Sequence, residues 1–362
     1  MNLYFLRFTA EFGGRLWHLR ETLSHNHNCI DLIFKYNDFK KELDPSLSCW
    51  ADNKGVVFIF LPDGNGRHFH PFYENNERLL LDYKGKIVIL TDGDDSYILE
   101  HIYHPPVMAS RIDAFVALNR SPDTVAFDIA DKVVLLPRFT IPNDVQGHSR
   151  FERKGDIKKI KKMIFYGGPD ISRIEAIKRI KNSNLNKYFE GGVCPPIPNL
   201  VGEGHMSNLP DEEYYKDLVV NQEELNPIGG HYRIDGLLYW DKLCESLISL
   251  CGTRIMGTWT YRFVESMAAS CAIISAELDL PIDQDFLYRD KLLDLFFTFK
   301  RDFSDFLDVC QYCLDHESEC IERGKEGYEV YKKYWEVNED GSYKDNVWRD
   351  IQAQFLELNI DI

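Results

Sequence analysis

Short apolar runs alternate with polar loops and helical segments along most of the chain. An amphipathic segment at 15–23 follows the first apolar run and predicts a helix. Strands that alternate with helices indicate parallel sheets covered by helices. In the first part of the chain, strands are predicted at 2–8, 29–34, 56–61, 86–90, 114–118 and 132–136.

The alternation stops at 138–162, which loses apolar periodicity and contains Pro142, Gly147 and a run of lysines. This composition predicts a linker between two domains. The alternation restarts with a strand at 163–166, followed by a glycine loop and a helix. Further along, the pattern predicts a strand at 187–191, a loop at 226–236, and helices at 212–219, 237–244, 303–323, 325–335 and 347–358.

The most informative stretch is 243–275. It predicts a strand at 246–250, a polar loop with two glycines, a helix at 261–269 and a strand at 272–275. Amides at a helix N-terminus point at a ligand, and the aligned peptide dipoles favour negative charge. A strand, a glycine loop and a helix in this order therefore predict a phosphate-binding site.

Two charged residues of this helix extend the prediction. Arg262 lies in the first turn and Glu265 three residues later, so both project from nearly the same face. A guanidinium can hold a diphosphate through paired hydrogen bonds. The carboxylate can accept hydrogen bonds from two vicinal hydroxyls, such as those of a ribose. The alternative is a solvated helix pair worth about 0.2–0.5 kcal/mol.

The sequence around this pair, WTYRFVESMAASCAIIS, resembles the C-terminal motif of exostosin-like glycosyltransferases. The resemblance is clear over this stretch and looser over the rest of the C-terminal half. Ser270 replaces the family's usual glycine, and Arg254 lies in a loop that is richer in glycine and proline in the family. The matching positions are Trp259, Thr260, Arg262, Glu265, Ala268, Ala269 and Cys271.

The resemblance implies the GT-B architecture, an α/β fold of two Rossmann-like domains that face each other across a cleft. Residues 1–145 would bind the acceptor and residues 146–345 the nucleotide sugar, while 346–362 would form a helix that packs back on the N-terminal domain. It also implies a single displacement with inversion, which moves a sugar to a hydroxyl of a glycan acceptor. A UDP-sugar is the favoured donor because UDP is common in the family.

The resemblance assigns the donor to the second domain. Arg262, the amides near Thr260, Arg173 and Arg254 would offset the charge on the departing diphosphate, and Glu265 would take the ribose. This charge can replace a divalent metal, so no cofactor is expected besides the nucleotide-sugar co-substrate. The predicted donor-binding residues are Gly167, Gly168, Arg173, Arg254, Gly257, Thr258, Trp259, Thr260, Tyr261, Arg262 and Glu265. Arg173 could instead pair with Asp170 at the surface.

Candidates for the catalytic base lie in two loops of the first domain. Asp92, Asp94 and Asp95 follow a predicted strand, and like charges this close should raise at least one pKa. Asp92 and Asp94 also form an Asp-x-Asp, the metal–nucleotide motif of the other large glycosyltransferase fold. Glu11 in the first loop is a further candidate, and its alternative is a surface carboxylate near a helix start.

Composition excludes some partners and locations. The 362 residues carry a formal net charge of −16, which argues against nucleic acid as a partner. No apolar run approaches the ~20 residues of a membrane span, and residues 1–14 do not resemble a signal peptide. Nine scattered cysteines suit a reducing compartment. We therefore expect a cytoplasmic enzyme, and bacterial or viral synthesis of a surface glycan fits this.

A cysteine-rich segment offers a competing interpretation. Cys310, Cys313, His316 and Cys320 could be read as zinc ligands. Their spacing is helical throughout and no second CxxC follows, so buried cysteines on an amphipathic helix explain them better.

Three functional hypotheses follow. The favoured one is a metal-independent inverting glycosyltransferase. A metal-dependent nucleotide-sugar enzyme that uses Asp92 and Asp94 is the second, and EDTA would separate it from the first. The third is a sugar- or nucleotide-binding protein without catalysis, which would bind but not turn over.

Overall fold

A computed structural model describes most of the chain. The described residues are 2–7, 14–33, 43–52, 54–61, 69–91, 111–117, 132–136, 157–195, 212–220, 225–228, 231–234, 236–251, 261–277 and 294–362.

The described residues contain the following strands and helices. The strands are β1 Asn2–Arg7, β2 Asn28–Ile33, β3 Val56–Leu61, β4 Lys86–Thr91, β5 Ala114–Ala117, β6 Val133–Leu135, β7 Ile160–Gly167, β8 Phe189–Val193, β9 Leu225–Ile228, β10 His231–Ile234, β11 Ser246–Cys251, β12 Ala272–Ala276 and β13 Phe296–Phe299. The helices are α1 Gly14–Ser24, α2 Ser48–Asp52, α3 Phe69–Asp82, α4 Ile171–Lys181, α5 Glu212–Tyr215, α6 Gly236–Glu245, α7 Tyr261–Ala268, α8 Phe306–Asp315, α9 Glu317–Tyr334 and α10 Asp345–Glu357.

Residue contacts divide the chain into two compact units. The first comprises Met1–Phe139 and Glu336–Ile362, and the second comprises Thr140–Trp335. The predicted boundary at 145/146 falls outside the described residues. No helix in the described ranges is both long and apolar enough to cross a membrane.

The first unit contains a parallel sheet in the order β2-β1-β3-β4-β5-β6. The central strands β1, β3, β4 and β5 are apolar and mostly buried because helices cover the sheet, whereas the edge strand β2 is only partly buried. Helix α10 packs here, where Phe355 meets Phe58 edge to face at a centroid distance of 6.4 Å. The chain before α10 also joins this unit, since the backbone amide of Tyr343 donates to Thr22 Oγ1 at 2.8 Å.

The second unit is another parallel sheet, in the order β13-β12-β11-β7-β8. One face packs against α4 and α8, where Ile174, Ile177, Cys310 and Cys313 are buried in the core. The cysteine-rich segment thus lies on helices, as the favoured interpretation predicts. Gly191 of β8 has φ of 122°, and a Cβ there would lie 1.7 Å from the carbonyl oxygen of Phe165. Only glycine allows β8 to pair with β7 this closely.

Most predicted strands match the observed ones within about two residues at each end, but two predictions were wrong. Residues 226–236 are not simply a loop, because β9 and β10 form an antiparallel hairpin there. The predicted helix at 303–323 is interrupted at His316, where α8 ends and α9 begins. Helices α2 and α3 and strand β13 were not predicted; α2 and β13 have only five and four residues, too few to show a period.

The C-terminus of α7 is a left-handed cap. The amide of Cys271 donates to the carbonyl of Ser266 at 2.8 Å, and that of Ser270 donates to Met267 at 2.9 Å. This pair of bonds defines a Schellman motif. In this motif the first residue after the C-cap of the helix takes a positive φ and is usually glycine. Ser270 has φ of 56°. The glycine of the resembling motif thus falls where the backbone favours glycine.

Helix α9 packs closely against this cap. A Cβ on Gly324 would lie 2.4 Å from the carbonyl oxygen of Ser270. The Ser270 hydroxyl is buried and has no hydrogen-bond partner within the part of the chain described. Serine at this position is therefore destabilising for two reasons. Its backbone lies in the unfavourable αL region, and its hydroxyl is buried without a partner among the described residues.

We expect Ser270→Gly to raise the free energy of unfolding by about 1 kcal/mol, because glycine removes both the αL strain and the buried hydroxyl. Ser270→Ala is the matched control, since it removes the hydroxyl but keeps the Cβ. Chemical denaturation of the three proteins checks this. If Ser270→Gly were no more stable than Ser270→Ala, the cap would not limit stability.

Candidate functional site

The sheet of the second unit has a topological switch point between β7 and β11. From β7 the chain moves to β8 on one side, and it later returns to β11 and continues outward through β12 and β13 on the other side. In open parallel sheets, ligands bind outside the carboxyl ends of the strands where the order reverses in this way. Here those ends are Gly167 and Cys251.

The two charged residues of α7 meet at this point. Arg262 donates through Nη2 to the carbonyl oxygen of Tyr166, near the end of β7. It also donates through Nη1 to the hydroxyl of Tyr239 on α6, at 2.9 Å. Tyr239 in turn donates to Glu265 Oε2, also at 2.9 Å. Arg262 and Glu265 therefore lie on the same side of α7, joined by a tyrosine hydroxyl.

Aromatic rings hold the guanidinium of Arg262 in place. Its central carbon lies 4.7 Å from the ring centroid of Phe165 and 5.5 Å from that of Tyr239. A guanidinium over a ring face gains about 0.5–2 kcal/mol. A Cβ on Gly167 would lie 3.3 Å from Nη2, so the absence of a side chain there keeps space beside the cation.

The surroundings raise the pKa of both Tyr239 and Arg262. Burial raises the pKa of Tyr239 well above its usual value of 10.0, and Glu265 raises it further against the opposing effect of Arg262. Burial alone would lower the pKa of Arg262, but Tyr239 and Glu265 raise it on balance. The tyrosine therefore stays neutral and the guanidinium stays charged.

A second polar cluster lies beside the first and shares Tyr166 with it. Glu190 of β8 forms an ion pair with Lys242 of α6 at 2.6 Å and another with Lys162 of β7. The Tyr166 hydroxyl accepts from Lys242 at 3.1 Å and donates to Glu190 at 3.3 Å. Burial would raise the pKa of Glu190, but hydrogen bonds from Lys162 and Lys242 lower it on balance.

Arg173 lies in the first turn of α4, close to the end of β7. Its Nη1 donates to the carbonyl of Gly168 at 3.3 Å. Asp170 is the N-cap of this helix, and its Oδ1 accepts from the amide of Ser172 at 3.0 Å. The carboxylate that could have paired with Arg173 at the surface thus satisfies the helix N-terminus.

The structure describes only some of the other predicted site residues. Tyr261 is the first residue of α7, and the structure does not describe its side chain. Of the predicted donor residues, the structure brings Gly167, Arg262 and Glu265 together. Those outside the described residues are Glu11, Asp92, Asp94, Asp95, Arg254, Gly257, Thr258, Trp259 and Thr260.

Sequence reasoning missed the polar residues contributed by β7, β8 and α6. Tyr239 and Lys242 are three residues apart on the helix that precedes β11, so their shared helical face was the available signal. Glu190 had no local signal, because it reaches Lys162 only through the pairing of β8 with β7.

No protein-family model matches the chain, and no curated protein matches it. Solved structures do match over nearly the whole length. HepE from Anabaena in complex with UDP-glucose has a TM-score of 0.56 at 9% identity and covers 99% of each chain. Sucrose-phosphate synthase from Thermosynechococcus elongatus gives 0.52 at 10%, and a glycosyltransferase from Rickettsia africae gives 0.51 at 10%; both cover 99% of this chain and 98% of their own.

These similarities concern the fold. The chain has the α/β GT-B fold, with two parallel sheets flanked by helices, and the predicted fold class is confirmed. The resemblance to exostosin-like enzymes in particular stays a prediction, because no family model matches.

We expect Glu190→Gln to be less stable than the parent by about 1 kcal/mol at neutral pH, since it leaves two lysines facing a neutral amide. The folded pKa of Glu190 is below its ordinary 4.5. Its contribution is thus complete above pH 4.5 and is lost as the pH falls through the folded pKa. Melting temperatures from pH 7 to pH 3 should converge at the acid end.

Glu213→Gln is the matched control for this experiment. Glu213 also pairs with a lysine, Lys216, but its side chain is 79% exposed. Its removal should change stability little at any pH. If the difference in melting temperature between Glu190→Gln and the parent did not shrink below pH 4.5, the stabilisation could not be assigned to ionised Glu190.

Proposed function

We propose that the chain is a glycosyltransferase that moves a sugar from a nucleoside-diphosphate sugar, with UDP favoured, to a hydroxyl of a glycan acceptor. The observation that carries this proposal is the Arg262–Tyr239–Glu265 group at the switch point of a parallel sheet. The fold supports it, since the similar HepE structure contains UDP-glucose. The motif around Arg262 that resembles exostosin-like enzymes points the same way.

The donor diphosphate would bind at Arg262. A guanidinium has five N–H donors, and the bonds to Tyr166 and Tyr239 use two of them. The remaining donors would face the phosphate oxygens. The N-terminus of α4 is less suitable, because Asp170 already caps it and would repel an anion. The start of α7, next to Arg262, is therefore the favoured helix terminus.

In the proposed reaction, a carboxylate takes the proton of the acceptor hydroxyl. The resulting oxygen attacks the anomeric carbon, and the bond from that carbon to the diphosphate oxygen breaks with inversion. Arg262 would stabilise the negative charge that builds on the leaving diphosphate, with Arg173 and Arg254 as further candidates. The proposal therefore requires no divalent metal. Asp94, Asp92, Asp95 and Glu11 remain the candidates for the base.

The proposal includes a cytoplasmic location. All nine cysteines are free thiols, and eight of them are buried. Free thiols persist in reducing compartments, whereas secreted proteins tend to form disulfides.

Nucleotide binding tests the donor site. We expect one nucleoside diphosphate among UDP, GDP and ADP, at about a hundred times its Kd and in EDTA, to stabilise the protein by ~2.7 kcal/mol. Arg262→Lys keeps the charge but loses the forked geometry, so we expect at least about tenfold weaker binding. Thermal shifts and titration calorimetry measure both effects.

Arg179→Lys is the matched control for Arg262→Lys. Arg179 lies near the C-terminal end of α4, pairs with Glu175 at 2.6 Å and donates to the carbonyl of Phe303 at 2.9 Å. The Arg179 variant should be somewhat less stable than the parent and should bind the nucleotide with the same affinity. Absence of any nucleotide effect would remove the basis of the proposal.

Two other outcomes would redirect the assignment. Stabilisation that requires manganese would favour a metal-dependent enzyme acting through Asp92 and Asp94. Binding in EDTA without transfer from a panel of UDP-sugars to varied glycan acceptors would favour a binding protein without catalysis.

A further inference from the structure

Tyr239 lies outside the motif that suggested a donor site, yet its hydroxyl joins the two charged residues of that motif. It is on α6, one turn from the start of the helix, and it is 9% exposed. Arg262 Nη1 and Glu265 Oε2 each lie 2.9 Å from its oxygen.

The direction of these two bonds is determined by chemistry. A guanidinium only donates hydrogen bonds and an ionised carboxylate only accepts them. The Tyr239 hydroxyl must therefore accept from Arg262 and donate its single proton to Glu265. These bonds leave Oε1 of Glu265 without a partner among the residues that the structure describes.

The position of the hydroxyl is set by the packing of its ring. The Tyr239 ring meets that of Tyr166 edge to face, with centroids 6.2 Å apart and planes at 86°. The raised pKa of Tyr239 keeps the proton on the hydroxyl, where Glu265 needs it. Hydrogen bonds to ionised partners are about twice as strong as neutral ones, so this arrangement resists rotation of either charged side chain.

We propose that Tyr239 is a positioning residue for nucleoside-diphosphate recognition. It separates Arg262 from Glu265, so that the guanidinium can face the diphosphate and the second carboxylate oxygen can accept from a ribose hydroxyl. Without the hydroxyl, the opposite charges would close into a direct ion pair and cover the atoms that a ligand needs. This inference rests on the donor site proposed above, and it assigns the distinction between ribose and deoxyribose to a residue of a neighbouring helix.

Binding of UDP and of 2′-deoxy-UDP in EDTA tests this role by titration calorimetry. Wild-type protein should bind UDP at least about tenfold more tightly than 2′-deoxy-UDP, because a site built to accept a hydrogen bond from a hydroxyl rejects an analogue that lacks this hydroxyl. Tyr239→Phe keeps the ring packing, and circular dichroism will verify its fold. It should bind UDP about tenfold more weakly and show almost no preference between the two nucleotides.

Two further variants separate positioning from general stability. Tyr4→Phe is the matched control, since the buried Tyr4 also donates to a carboxylate, Asp52, at 2.6 Å but lies in the first unit. It should keep the affinity and the preference of wild type. In a Glu265→Ala background, Tyr239→Phe should have no further effect on the preference, because Tyr239 acts through Glu265.

The outcomes distinguish this inference from the function on which it rests. Wild-type protein that binds neither nucleotide would overturn the donor site and this inference with it. If wild type prefers UDP and Tyr239→Phe keeps the same preference, the positioning role alone is overturned.

Discussion

A half-buried guanidinium at the carboxyl edge of a parallel sheet is the constraint around which the candidate site is organised. Removing a charge from water costs several kcal/mol unless partners replace the lost hydration. For Arg262 those partners are the Tyr166 carbonyl, the Tyr239 hydroxyl and the face of Phe165. They come from β7 and α6, so the cation connects α7 to two other elements. The arrangement leaves donors for an anion because a guanidinium has more N–H groups than these partners use.

Contacts with β11, β12 and α9 hold α7 in position, and this makes precise placement of Arg262 possible. Within the helix, the Ser266 hydroxyl lies 2.5 Å from the Arg262 carbonyl, and it lies 2.7 Å from Ser249 Oγ of β11. At its C-terminus the Schellman cap directs the chain into β12, and Gly324 lets α9 approach the cap. A site needs such support because a ligand gains affinity only from groups already held in the required geometry.

The parts of the fold that sequence reasoning recovered are those with a strong local signal. The apolar strands and the helix containing Arg262 and Glu265 were predicted because burial on both faces of a parallel strand leaves a continuous apolar run, and helical spacing brings residues three apart together. The β9–β10 hairpin and the break at His316 were missed because their signals are weak. Glu190 and Lys162 were missed since strand pairing, and not spacing, brings them together.

The sequence by itself determined that this chain forms two α/β units and that an arginine and a carboxylate share one face of the helix after a buried strand. Periodicity and spacing carry that information because they express local geometry. Only the tertiary structure decided that Tyr239 stands between the two charges, that Arg262 reaches the end of β7, and that this end is the switch point of the sheet. These contacts join residues far apart in the chain, and which of them form depends on the packing of whole elements around a common core.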